Sequence, residues 1–170
     1  MDYTLCTGRK DVTIDAKNRL SIPSQFRSRM DPERDGTGFY VVPRSLHLLT
    51  GREISTLWLY ANRYYERKES RRAPESIEDD DLDRYDKSTF ARVEALEVDK
   101  QGRVLLPDQM LRDEQIGREV TITGSRDHYV IWNREDYLEF DEEAKRNRRE
   151  IEVRAKAAQA QRGVDRPKSS

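Results

Sequence analysis

The chain has 170 residues, 35% of them hydrophobic and 38% charged, with a formal net charge of −1. This length admits one domain or two small ones with a lean core, for which partners often supply stability. The balanced charge excludes a polycation that coats nucleic acid in bulk, but it leaves room for a local basic face.

The N-terminal stretch Met1 to Lys10 has no apolar segment of signal-peptide length, and no later stretch is long and apolar enough to span a bilayer. A single cysteine, Cys6, cannot form an internal disulfide and fits a reducing cytosol. Val12 and Ile14 alternate with polar neighbours, as do Leu20 and Ile22. This predicts two strands around a tight polar turn containing Asn18. Pro23 suits the first position of a short helix, where a missing N–H costs little. Phe39 to Val42 and His47 to Leu49 are candidate strands closing this unit. Ile54, Leu57, Trp58, Ala61 and Tyr65 fall at helical spacing and predict a helix from about Glu53 to Arg72, ended by Pro74. The acidic run from Glu75 to Asp83 reads as a solvated linker.

The opening pattern then returns. Val12 to Phe26 aligns without a gap on Leu96 to Met110, pairing Asp15 with Asp99, Arg19 with Arg103, Pro23 with Pro107 and Gln25 with Gln109. Asn18 falls on Gly102, and both residue types tolerate positive φ, so the two turns are expected to share a backbone conformation. Val120 to Thr123 and Tyr129 to Trp132 predict a hairpin around Gly124-Ser125-Arg126-Asp127. Asn133 is placed to cap a C-terminal helix. Charge dominates from Lys145 onward, and Gly163 to Ser170 reads as a disordered tail.

These residues resemble the MraZ family. The second copy carries the stronger similarity, in Asp99-Lys100-Gln101-Gly102-Arg103-Val104-Leu105-Leu106-Pro107, Gly124 and Ile131-Trp132. The first copy matches at Gly8, Asp15-Ala16-Lys17, Arg19-Leu20-Ser21-Ile22-Pro23 and Phe26-Arg27. The resemblance implies an α+β, β-rich fold of two tandem AbrB-like swapped-hairpin β-barrel repeats, joined as a pseudo-dimer within one chain. The repeats are expected over 8–52 and 92–137, with a linking helix and acidic linker over 53–83 and a charged helix and tail over 138–170. It further implies a cytoplasmic, nucleoid-associated transcriptional regulator. Such a protein represses the bacterial division and cell-wall cluster, binding repeated promoter elements on double-stranded DNA as a ring-like homo-oligomer, without cofactor or membrane. The chain departs from the family pattern at Asn18, usually Gly, and at Cys6, usually aromatic, and its acidic linker and C-terminus are long.

The turn residues have matching chemistry. Arg is always charged and offers a planar fork of donors that fits the O6 and N7 of guanine, or a phosphate. Lys17 and Lys100 suit phosphates as flexible point charges, and Arg9 and Arg27 add positive charge to the first copy. Arg19 and Arg103 also admit a structural reading, as ion pairs with Asp15 and Asp99 that pin each turn; the two readings are compatible. Catalysis has little support. His47 and His128 lack metal-ligand spacing and lie beside apolar residues, Cys6 has no obvious base, and no Gly-rich phosphate loop is present. An oligomeric scaffold that touches no DNA, using Trp58, Tyr64 and Tyr65 as its interface, is the alternative reading.

Overall fold

A computed structural model describes residues 1–72 and 80–164. It is a mixed α+β structure with antiparallel strand pairing throughout. The first half contains β1 (Arg9–Thr13), β2 (Arg19–Ser21), α1 (Ser24–Arg27), β3 (Gly38–His47), β4 (Glu53–Ala61) and α2 (Asn62–Ser70). After α3 (Asp80–Phe90), the second half repeats the series: β5 (Glu94–Glu97), β6 (Arg103–Leu105), α4 (Asp108–Asp113), β7 (Glu119–Gly124), β8 (Tyr129–Asn133) and α5 (Arg134–Arg146). The chain continues into α6 (Arg148–Val164).

Strand pairing crosses between the halves. The main sheet has the order β1-β7-β8-β4-β3-β5, and β2 pairs with β6 in a separate two-stranded ribbon. Exchanging each strand for its counterpart and reversing the order gives the same sheet. Only the β3–β4 and β7–β8 hairpins form within one half; β1, β2, β5 and β6 have all their partners in the other. The main core lies where the halves meet, with Ile14, Leu20, Phe26, Phe39 and Leu57 from one side and Val104, Leu106, Val120, Ile122 and Ile131 from the other.

Glu53 to Ala61 is a strand, in place of the expected first half of a helix; the helix itself runs only from Asn62 to Ser70. Ile54, Thr56, Leu57, Leu59 and Tyr60 are all buried, so both faces of β4 are covered. Such a strand loses period-two alternation, and its apolar positions can match a helical template. Its β-branched and aromatic content is that of a strand. The two candidate strands before it are one strand, β3, which ends at His47; Leu48 and Leu49 belong to the following turn. Pro43 lies beyond Val41, the last residue paired to β5, where one side of β3 is an edge and a proline is tolerated.

Pro23 and Pro107 are helix N-caps, one residue before the expected position, with ψ of 134° and 127°. Proline's fixed φ suits either place, but the extended ψ belongs to a cap. Asn133 also precedes its helix, yet its side chain does not cap it. It accepts from the Gly117 N–H at 2.7 Å and donates to the Gln115 carbonyl at 2.9 Å. Asp80 to Asp83, assigned above to the linker, form the first turn of α3. Gly163 and Val164 end α6 and are not in a tail. Pro74, the rest of the acidic run and 165–170 lie outside the described residues.

Two features fix the N-terminal segment. Gly124 donates to the Gly8 carbonyl at 2.8 Å, and a Cβ on Gly124 would stand 2.4 Å from the Thr7 backbone. Only glycine admits that approach. Asp35, fully enclosed, accepts from Thr4 Oγ1 at 2.6 Å, the Asp31 N–H at 2.9 Å and Arg34 Nη2 at 2.9 Å. Burial alone would raise its pKa, but the Arg34 and Thr4 hydrogen bonds hold it at about 2. Cys6 is buried nearby, and desolvation pushes its thiol up to about 12, which suits an inert side chain.

Candidate nucleic-acid interface

The ribbon pairs Arg19 with Leu105, Leu20 with Val104 and Ser21 with Arg103. Leu20 and Val104 are buried, so their neighbours face outward by strand alternation. The outer face therefore carries Arg19, Ser21, Arg103 and Leu105. Because the strands are antiparallel, the two polar turns enter the ribbon at opposite ends.

The turns have one hydrogen-bond plan. Asp15 Oδ1 accepts from the N–H groups of Lys17 and Arg19, both at 2.9 Å, and its Oδ2 accepts from Arg19 Nε at 2.7 Å. Asp99 repeats this with Gln101, Arg103 and Arg103 Nε, all at 2.9 Å. Each aspartate's backbone N–H also donates to its arginine's carbonyl, and its own carbonyl accepts from the N–H of the fourth turn residue, which has positive φ: 63° at Asn18 and 76° at Gly102. Both carboxyls are held below the ordinary carboxylate range, first by the arginine's backbone N–H and then by its side chain. The expected equivalence of Asn18 and Gly102 is thus present in the backbone.

This arrangement joins the two readings of the arginines. Each aspartate engages only Nε, and among the described residues neither arginine's Nη groups make a hydrogen bond. The clamp orients the guanidinium and leaves its terminal donors for an external acceptor. Lys17 and Lys100 sit exposed on the turns, with no ion pair among the described residues. Arg27 has a different place. Its Nε donates to the Ile22 carbonyl at 3.0 Å, and its guanidinium lies over Gly102, where a Cβ would approach Cζ to 2.4 Å. The first repeat thereby covers the turn of the second. Arg9 stands apart, over the Tyr137 ring and against Asp141.

The first turn is braced instead by Arg118 and Asp108, which carry no motif in the sequence. Arg118 Nη1 donates to the Asp15 carbonyl at 2.6 Å and to Asn18 Oδ1 at 2.8 Å, and Asn18 Nδ2 donates to Asp108 Oδ1 at 3.2 Å. No local signal marks Arg118, because its partners lie about a hundred residues away in the chain.

The remaining candidates are structural. Trp58 lies on β4 and stacks on His128 with ring centroids 4.2 Å apart, while Tyr64 and Tyr65 are buried beside Tyr60. This packing engages the three aromatics within the fold, where a scaffold interface would need them on the surface. His47 ends β3. His128 lies in the loop before β8, with Nδ1 2.7 Å from Asp127 Oδ1. Among the described residues no cluster of three or more His, Cys, Asp or Glu could hold a metal ion, and no helix is long and apolar enough to cross a membrane.

The model of the family described as "MraZ protein, putative antitoxin-like" matches residues 89–159, which include the second turn and its ribbon strand. A transcriptional regulator MraZ from Mycoplasmoides gallisepticum is 28% identical over 139 residues, covering 79% of this chain and 86% of the relative. One from Chlorobaculum parvum is 28% identical over 127 residues, covering 74% and 77%. One from Cytophaga hutchinsonii is 24% identical over 134 residues, covering 79% and 83%.

Proposed function

We propose that the chain, which is similar to MraZ transcriptional regulators over most of its length, is a DNA-binding transcriptional regulator of that family whose β2/β6 ribbon is the surface that meets DNA. The observation that carries this reading is the paired Asp–Arg clamp, which holds each arginine by Nε and leaves two sets of Nη donors without a hydrogen bond among the described residues, on one outward ribbon face. A two-stranded ribbon fits the major groove, where such a fork matches guanine O6 and N7. Arg19 and Arg103 read bases, and Lys17 and Lys100 contact phosphates. Arg27 supports the second turn and adds positive charge beside it.

The crossed strand pairing supports two swapped-hairpin repeats, over 8–52 and 92–137, forming a pseudo-dimer in one chain. One ribbon offers few contacts, so tight specific binding comes from repetition: a ring-like homo-oligomer facing repeated promoter elements raises the effective concentration of each ribbon. Repression of a division and cell-wall cluster, from the cytoplasm and in association with the nucleoid, completes the reading. A mobility-shift titration on the DNA upstream of the protein's own gene tests it. Binding to that DNA with a scrambled duplex in excess is the expected result. Equal binding to both duplexes, or to neither, sinks the proposal.

A further inference from the structure

Leu105 is the one exposed large apolar side chain on any described strand, at 62% exposure, and it stands on the ribbon's outer face. It lies directly across from Arg19. Directly opposed residues in an antiparallel pair share a face, with Cβ atoms about 4.5–5.5 Å apart. The counterpart of Leu105 in the first repeat is Ser21, which lies across from Arg103. The ribbon is therefore symmetric in its arginines and asymmetric between them: one arginine is partnered by an apolar side chain and the other by a hydroxyl.

We propose that Leu105 is a specificity residue that packs against the C5 methyl of a thymine, on the Arg19 side of the ribbon; this rests on the DNA-binding reading above. The thymine methyl is the apolar group that a base edge presents in the major groove, and aliphatic side chains recognise it by contact. Leu105 gains little from folding at its present exposure, but it loses water on contact with a methyl. The charge around it matches a nucleic acid, since Lys17 and Lys100 flank the same ribbon with no ion pair among the described residues. A hydroxyl at position 21 offers no equivalent contact, so the element read by one chain is asymmetric even though the two clamps are alike.

Duplexes enriched by the wild-type full chain from a random-sequence pool supply the probe. Each enriched thymine is replaced in turn by deoxyuridine, which lacks the C5 methyl and keeps its pairing edge. At one thymine position per site the replacement is expected to weaken the wild type about fourfold, the value of one buried methyl-sized group. Leu105→Ser should bind thymine and uracil duplexes alike, whereas Leu105→Ile should keep the difference. Ser21→Leu should create a second sensitive position on the other side of the element. Indifference of the wild type to every replacement overturns the assignment, as does a thymine preference that survives in Leu105→Ser. A reduced oligomer mass in Leu105→Ser with unchanged thymine preference makes the leucine a subunit contact, and the assignment fails. These outcomes leave DNA binding intact; a pool from which nothing is enriched removes DNA binding and the Leu105 assignment together.

Discussion

The turns at Asp15–Arg19 and Asp99–Arg103 share a clamp but not its support. In both, an aspartate holds two backbone N–H groups and one arginine Nε. The first turn is braced by hydrogen bonds from Asn18 to Asp108 and from Arg118. The second lies under Arg27, which reaches over Gly102 from the other repeat. The shared part presents a guanidinium fork, whereas the differing parts only hold the loop in place.

The largest expected effect tests whether the two clamps are equivalent. Arg19→Ala and Arg103→Ala should each remove an interaction of about 1–3 kcal/mol per ribbon, multiplied by the number of ribbons on the DNA. Melting temperature should move little, because both ion pairs are partly open to solvent, where such pairs contribute little stability. Unfolding of one variant beside normal binding by the other would make the two clamps different in kind. Arg103→Lys refines the test: loss of operator preference with charge retained identifies the planar fork as the reader.

A third aspartate sharpens the contrast between exposed and enclosed carboxylates. Asp35 has its pKa depressed to about 2 in the folded protein, so its contribution is complete above the ordinary carboxylate range. That contribution, about 2 kcal/mol, is lost as pH falls toward 2. Asp35→Asn should flatten this part of the acid-unfolding curve, followed by circular dichroism, and lower stability at neutral pH. Asp15→Asn and Asp99→Asn should leave the acid limb much closer to the parent's and should act on DNA binding instead.

A smaller effect separates the two supports. Gly102→Ala places a Cβ at φ of 76° and pushes Arg27 aside, whereas Asn18→Ala strains a φ of 63° and removes the ties to Asp108 and Arg118. Each should cost about 1–2 kcal/mol in denaturant unfolding. Only the first should couple to Arg27→Ala, by on the order of 1 kcal/mol in a double-mutant cycle. Equal coupling for both would mean that Arg27 does not distinguish the turns.

How much of this is legible in the sequence follows from how far each constraint reaches along the chain. The turns are legible because an Asp, a residue that tolerates positive φ and an Arg sit within five positions. The β7–β8 hairpin is legible because its apolar runs are short and flanked by loop residues. β4 is not, since coverage on both faces erases its alternation. Comparison with the second repeat could find it, but the repeats fall out of step: Asp15 and Asp99 are 84 positions apart, whereas the helix caps Ala61 and Asn133 are 72 apart. The first repeat is longer between its turn and its helix, which hides the match of Tyr60 and Tyr65 with Trp132 and Tyr137. The role of Gly124 needs the structure, because the backbone it admits belongs to residues 6 and 7.

The smallest predicted change concerns the lysines. Lys17→Ala and Lys100→Ala should weaken operator and scrambled duplexes alike. Each should lower the salt slope by about one unit for every phosphate that a bound subunit no longer neutralises. A change in sequence preference from either would extend base reading into the turn tips and blur the division between fork and point charge.

The crossed pairing also has a consequence for synthesis on the ribosome. Arg9 pairs with Thr123 and Arg19 with Leu105, so β1 and β2 emerge long before their partners exist. The β3–β4 hairpin can close early, but it then presents Phe39, Leu57 and Leu59 to water until the second half arrives. Pairings this distant in sequence form late and slowly, and the waiting chain exposes unpaired strand and apolar surface. A nascent first half is therefore a natural client for a chaperone, and a message truncated between the halves would yield a product that aggregates.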